Sequence, residues 1–204
     1  MKYIDLTHTF KKEMPVYPGD SKPKLEQIAF LNKDSYNNFQ IKTSMHIGTH
    51  IDAPLHMVKN GKQISDILPE QFFGKGHIID ARNRIIDENL LKGMQILKGD
   101  IVFIMTGLYK KFGTTEYYES YPEVSNSFAL KMIELGVSIL GMDTPSPDRP
   151  PFLIHKLLLE KDVLIIENLT NLELLLEHKQ FDVIALPIKL NTEASPVRVI
   201  AKIN

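Results

Sequence analysis

The chain has 204 residues, 43% hydrophobic and 24% charged, and its 24 lysines and arginines against 25 aspartates and glutamates leave a net charge of −1. That length and balance suit one compact domain and provide no basic footprint for nucleic acid or an anionic membrane, so the expected partner is a small molecule. Cysteine is absent, which excludes disulfides and thiolate ligands and restricts any bound metal to nitrogen and oxygen donors.

The N-terminal run Met1-Lys-Tyr-Ile-Asp5 carries a charge where a secretory segment would need an apolar stretch, and no run approaches membrane-spanning length. A cytoplasmic location is therefore expected. Short β-rich runs alternate with helix-like segments, without internal repeats or a linker, which predicts a single α/β domain over residues 1–204. Strands are expected at Tyr3–Leu6, Leu25–Phe30, Phe39–Ser44, Gly76–Asp80, Ile101–Met105, Ser138–Gly141, Val163–Ile166, Val183–Ile188 and Val197–Ala201. Ile101-Val-Phe-Ile-Met105 and Val163-Leu-Ile-Ile166 are continuous apolar runs of the kind that central strands buried on both faces require. Helices are expected at Asp87–Leu97, Asn126–Leu135, Phe152–Glu160 and Asn171–His178, with Asp87, Asn126 and Asn171 as N-caps and Gly136 closing the second. The leucines at 158, 159, 172, 175 and 176 read as core stripes. Pro187, inside an otherwise good strand, suggests an edge or a bulge.

The chemistry concentrates in His46-Ile-Gly-Thr-His50-Ile-Asp52-Ala-Pro54-Leu-His56. Imidazole and carboxylate are ligands for zinc, manganese or iron, and His46, His50, Asp52 and His56 all fall on even positions, which an extended strand presents on one face. Thr49, Ile51 and Pro54 favour the extended conformation. Gly48 would leave room on that face for a metal or substrate. His155 and Glu167 are candidates for completing the site. Six residues of helix advance about 9 Å and four of strand about 13 Å, so a reversal between them can return Glu167 to the neighbourhood of His155. His56 can be a third imidazole ligand or an acid/base; Pro54 should turn the chain so that His56 points beside the metal. Asp143 and Ser146 lie in a Gly-Met-Asp-Thr-Pro-Ser turn after a buried strand and read equally as a functional pair or a plain Asx/proline turn. Lys189 and Arg198, at strand ends, read as solvated cations outside the site.

The eleven-residue segment resembles the H-x-G-T/A-H-x-D-x-P-x-H motif of the cyclase family, which includes bacterial kynurenine formamidase and isatin hydrolase. The likeness extends through Asp5-Leu6, Val16-Tyr17-Pro-Gly-Asp20, Gly141-Met-Asp143-Thr144-Pro-Ser146, Leu186-Pro187-Ile-Lys189 and Ala194-Ser-Pro196-Val-Arg198. It implies a swivelling β/β/α fold, with a mixed sheet or barrel-like core and outer helices, commonly as a homodimer. It implies that His46, His50 and Asp52 bind one metal, that Asp52 bridges to a second held by His155 and Glu167, and that His56 is the catalytic acid/base. Zn2+ or Mn2+, up to two ions per chain, is the implied cofactor. The implied activity is arylformamidase-like hydrolysis of a non-peptide C–N bond in a small amide or formamide, as in tryptophan catabolism, or opening of isatin or another cyclic amide. Tyr17 matches an aromatic substrate-contact position that is usually tryptophan in the formamidases. Between Asp148 and His155 stand only Arg149-Pro-Pro-Phe-Leu-Ile154, a shorter interval than formamidases carry.

Two other readings share these letters. His50, Asp52 and His155 outline the two-histidine, one-carboxylate triad of non-haem iron oxygenases, although His46 and His56 would then be superfluous. A structural metal in a nonenzymatic module would be a closed site, here without cysteine.

Overall fold

The computed structural model describes residues 1–178 and 180–203. In chain order the strands are β1 (Lys2–Asp5), β2 (Lys24–Ala29), β3 (Asn38–Lys42), β4 (His50–Asp52), β5 (Phe73–Asp80), β6 (Ile101–Met105), β7 (Ile139–Met142), β8 (Leu164–Glu167), β9 (Phe181–Pro187) and β10 (Ala194–Ile203). The α-helices are α1 (Leu31–Asp34), α2 (Thr115–Glu119), α3 (Asn126–Leu135) and α4 (Leu153–Leu159). Eight strands form one mixed sheet in the order β1-β10-β4-β8-β7-β6-β5-β9, and pairing of β9 with β10 closes seven of them into a barrel. Strands β5 to β8 run parallel, β4 lies antiparallel between β8 and β10, and β9 lies antiparallel between β10 and β5. The fold is the mixed α/β barrel-like domain that the resemblance implies.

Alternation along the central strands separates two cores. Ile101, Phe103 and Met105 of β6 point into the barrel with Ile139, Leu164, Ile166, Phe181, Val183 and Val199. Val102 and Ile104 point outward, where Leu140 and Ile165 join Phe128 and Met132 of α3 and Leu158 of α4. The apolar runs on β6 and β8 are continuous because each of those strands is covered on both faces. Each large side chain buried there contributes about 1.5–3 kcal/mol.

Strands appear at every expected place, with ends set by pairing. Strand β5 begins at Phe73 because residues 73–76 pair with β9 before the strand joins β6. Strand β10 is longer at both ends because it serves β4, β9 and β1. Pro187 ends β9 opposite Val197 rather than marking a free edge.

Two expected helices shorten to single 3-10 turns. Asp87 does cap its turn, accepting from the Asn89 amide, but only Glu88–Leu91 winds before Gly93, at φ +81, breaks the helical path. Asn171 does not cap: its backbone is left-handed and its Nδ2 donates to the Asp5 carbonyl, and only Leu172–Leu175 winds after it. Leu172 and Leu175 are buried there, while Leu176 is exposed, against its reading as core. For α3 the cap is Ser125, whose Oγ accepts from the Phe128 amide, so Asn126 is the first helical residue; Gly136 ends the helix as expected. Among the described residues no helix is long and apolar enough to cross a membrane.

Candidate metal centre

The eleven-residue segment is not one extended strand. Only His50 and Asp52 stand on β4, where alternate positions share a face. His46 lies in the preceding bend, and His56 ends a 3-10 turn over Pro54–His56 that starts at the proline. Chain reversal at Pro54, rather than strand periodicity, brings His56 back to within 4.2 Å of the His46 ring, centroid to centroid. Gly48 also has a different reason from the expected one. Its φ is +54, and a Cβ there would stand 2.4 Å from Met14 Cε, so it permits a left-handed turn and close packing of Met14.

The site is built at the C-terminal end of β8, where β4 crosses it. His50 and Glu167 are direct cross-strand partners, and His50 Nε2 stands 3.3 Å from Glu167 Oε2. Helix α4 and β8 run back to back through a short turn, as expected, and place His155 Nε2 3.1 Å from Glu167 Oε1. Asp52 lies at the centre. Its Oδ1 is 3.1 Å from His46 Nδ1 and 3.6 Å from His50 Nε2, and its Oδ2 is 3.8 Å from His155 Nε2. The structure thus gathers His46, His50, Asp52, His56, His155 and Glu167 at one point.

The ring orientations are fixed from behind. His50 Nδ1 is 2.8 Å from the Gly48 carbonyl and donates to it, which turns Nε2 toward the carboxylates. His155 Nδ1 is 2.7 Å from Asp148 Oδ1. His46 Nε2 lies 3.4 Å from Glu193 Oε1, on the loop before β10. Asp148 and Glu193 carry no local motif, and only the folded arrangement reveals them.

The electrostatics are those of a cation site. Burial pushes His50 down, yet the Asp52 and Glu167 carboxylates outweigh it and raise His50 to about 9. Burial likewise opposes, and Asp148 and Glu167 overcome, a rise of His155 to about 10. Asp52 is pushed up by burial but held well below the usual carboxylate range by His46 and His50. For His56 burial dominates, aided by His46 and His155, and its pKa falls.

Asp52 Oδ1, Asp52 Oδ2 and His50 Nε2 are buried without a hydrogen-bond partner. Burying a carboxylate with neither oxygen bonded costs several kcal/mol, so these atoms fit a metal ion as their missing partner. The donors form two groups, His46 with Asp52 and His56, and His50 with Asp52 and Glu167, whose ligand atoms within each group lie within 4.8 Å of one another. An all-nitrogen-and-oxygen set suits zinc or manganese. Beside it opens a cavity of about 220 Å³ walled by Val16, Tyr17, Phe112, Tyr118, Pro145 and Phe152. Tyr17 meets Tyr118 edge to face at 5.9 Å. Among the described lining residues the only charge outside the ligand cluster is Asp20, and no lysine or arginine is present.

The Cyclase family model matches residues 4–149. The chain belongs to the cyclase family. It is 27% identical over 211 aligned positions to a kynurenine formamidase of Bacillus mycoides, covering 98% of this chain and 97% of that protein. Its fold matches isatin hydrolase A from Labrenzia aggregata with a TM-score of 0.86 at 25% identity, over 99% of this chain and 93% of that one. It also matches a structure described as a potential metal-dependent hydrolase with cyclase activity, with a TM-score of 0.82 at 26% identity, over 100% and 98% of the two chains. The chain is thus a cyclase-family hydrolase whose side chains form groups able to hold a metal.

Other expected features have structural roles. Asp143 accepts from the Thr106 amide and hydroxyl and the Gly107 amide, tying the end of β6 to the end of β7. Ser146 Oγ donates to the Asp148 carbonyl. Arg198 forms a two-point ion pair with Asp5, away from the cavity.

Proposed function

We propose that this protein is a metal-dependent hydrolase of the C–N bond in a small, flat aryl formamide or cyclic aryl amide. The observation that carries the reading is Asp52, buried with both oxygens unbonded, set between His46 and His50 on one side and His155 on the other and opening onto an aromatic cavity. In this proposal His46, His50 and Asp52 hold one divalent ion, Zn2+ or Mn2+, and Asp52, His155 and Glu167 hold a second. Such ions polarise a carbonyl and lower the pKa of water toward about 7.

The chain's own residues do the rest. Tyr17, Phe112 and Phe152 stack against and position the ring, and the apolar wall keeps bulk water out. His56 flanks the ligands and is biased toward the neutral form, so its imidazole takes the proton from the attacking water as the C–O bond forms. It then returns that proton to the amide nitrogen as the C–N bond breaks, leaving an amine and a carboxylic acid, which gives up its remaining proton to solvent as a carboxylate. The relatives named for formamidase activity support an acyclic formamide. The short 149–154 loop and the absence of a lysine or arginine among the described cavity residues support a neutral ring such as a lactam as the second reading. Glu167 and His46 beside the His50, Asp52, His155 triad support hydrolysis over an oxygenase, and the open cavity supports it over a structural ion.

We also propose a homodimer. Strands β2 and β3 form a separate two-stranded arm with Ile28, Phe30, Leu31, Tyr36, Phe39 and Ile41 exposed. A lone hairpin is marginal in water, and six such side chains with the free strand edges present much of the roughly 800 Å² per partner that a stable interface buries. Sedimentation of the native chain and of Phe39→Asp tests this, and a monomeric native chain contradicts it.

The test of function is hydrolysis of N-formylkynurenine and of isatin by chelator-stripped protein reloaded separately with zinc, manganese and ferrous iron. Formamide turnover is the expected result; isatin opening alone selects the second reading. A metal-loaded protein silent toward both and toward simple formanilides contradicts the substrate class.

A further inference from the structure

We infer that Asp148 is a positioning residue for metal binding: its carboxylate holds the proton of His155 on Nδ1 and thereby commits Nε2 to the metal. The inference rests on the proposed function.

Asp148 stands outside the ligand cluster, and both of its oxygens are used. Oδ1 is 2.7 Å from His155 Nδ1, and Oδ2 accepts from the Ile154 amide at 2.7 Å. Nε2 also stands 3.1 Å from Glu167 Oε1, so the first bond is the one that would keep the ring's single proton on Nδ1 when Nε2 and Glu167 both turn to a metal. The second ties the carboxylate to the first turn of α4, where Phe152, the N-cap, offers no side-chain bond. One group therefore fixes the helix that carries His155 and the rotation of its ring.

Asp148 is itself held in place. Ser146 Oγ and Tyr121 Oη donate to its carbonyl, at 2.6 and 3.1 Å, and its amide is bonded to Ser146 Oγ. Arg149 fastens the adjoining chain to Glu123 and to the Glu119 and Tyr121 carbonyls. Asp148 and His155 are both almost wholly buried, so water does not substitute for this contact. The arrangement parallels His50, whose Nδ1 is held by the Gly48 carbonyl. Both imidazoles are fixed at Nδ1 and offer Nε2, but only His155 is fixed by a charged acceptor, which also makes its ring the stronger donor.

An asparagine is not an equivalent here. Both His155 Nδ1–H and the Ile154 amide donate, and a side-chain amide has one accepting oxygen, so Asp148→Asn keeps one bond and sets its NH2 against the other donor. Alanine removes both.

Metal binding by equilibrium dialysis, with Zn2+ and Mn2+ as probes, decides the matter on stripped wild type, His155→Ala, Asp148→Asn and Asp148→Ala, with thermal midpoints of the stripped proteins recorded alongside. His155→Ala defines the equivalent that belongs to His155. That equivalent should bind about 10–100-fold more weakly in Asp148→Ala and severalfold more weakly in Asp148→Asn, with the other equivalent unchanged. Wild-type affinity for it in both variants, with only a lowered thermal midpoint, would make Asp148 a helix cap and overturn the inference. If Asp148→Ala does not fold, Asp148→Asn decides by the same criterion. Loss of no metal in His155→Ala overturns the inference while leaving a hydrolase centred on His46, His50 and Asp52. Wild type that binds no divalent ion overturns the proposed function as well.

Discussion

His50 and Glu167 face each other across the β4–β8 ladder, so two ligands separated by 117 positions meet at 3.3 Å through backbone register alone. Register specifies this contact firmly, because a one-residue slip would turn His50 and Asp52 away from the site and Ile51 into it. His50→Ala is expected to lower metal affinity by more than the 10–100-fold that outer-shell losses typically cost. Glu167→Gln should do likewise, because its two oxygens face His50 and His155 separately. Metal content after dialysis measures both, and metal retention at wild-type affinity in His50→Ala contradicts the assignment.

His56 should separate binding from turnover. It lies beside the ligands in the turn that follows β4. His56→Ala is expected to keep metal at wild-type stoichiometry while kcat falls by about 10²–10⁴, the range for losing a general acid/base. Parallel metal titrations and rate measurements check this, and equal loss of metal in His56→Ala and His50→Ala would make His56 a ligand.

Gly48 links backbone conformation to the site. Alanine there meets a φ of +54, which costs about 1–2 kcal/mol, whereas the Met14 methyl it would strike ends a flexible side chain and can move. Because the Gly48 carbonyl anchors His50 Nδ1, Gly48→Ala should also weaken metal binding. Denaturant midpoints and metal affinity are the readouts. Unchanged stability would show that the turn tolerates the strain.

The sequence reveals the parts of this fold that are patterned locally. The apolar runs of β6 and β8 mark the central strands, and the helix-turn-strand spacing from His155 to Glu167 is short enough to be read as a reversal. The helices expected at 87–97 and 171–178 shorten because apolar spacing there satisfies the core from single turns: the chain leaves the helical path at Lys92 and Gly93 in the first, and in the second Leu172 and Leu175 are buried while Leu176 is already exposed. The shared face of His46, His50, Asp52 and His56 is half right, since β4 spans three residues and the two outer histidines arrive through turns. Asp148, Glu193 and Phe112 reach the site from loops whose positions depend on barrel closure, and no local spacing announces them.

His8 gives the stability a pH dependence separate from the metal centre. Its ring stacks on Phe112 at 3.9 Å, and burial, with Lys11 nearby, lowers its pKa to about 4. The unfolded chain takes up this proton near 6.5 and the folded chain only near 4, so stability is full above about pH 6.5 and falls through that window as pH drops. Discounted for the exposed part of the ring, the loss is about 1–2 kcal/mol. His8→Phe, which keeps the stack, should flatten this part of the profile of chelator-stripped protein. An unaltered slope between pH 7 and 4 would assign the dependence elsewhere.

The most direct test of the account is activity against bound metal. Stripped protein is titrated with zinc or manganese while hydrolysis of an aryl formamide and of a cyclic aryl amide is followed. Turnover should be absent at the start, rise in proportion to metal bound and fail to appear in Asp52→Asn. Full turnover by thoroughly stripped protein, or by Asp52→Asn without metal, would contradict hydrolysis through this centre.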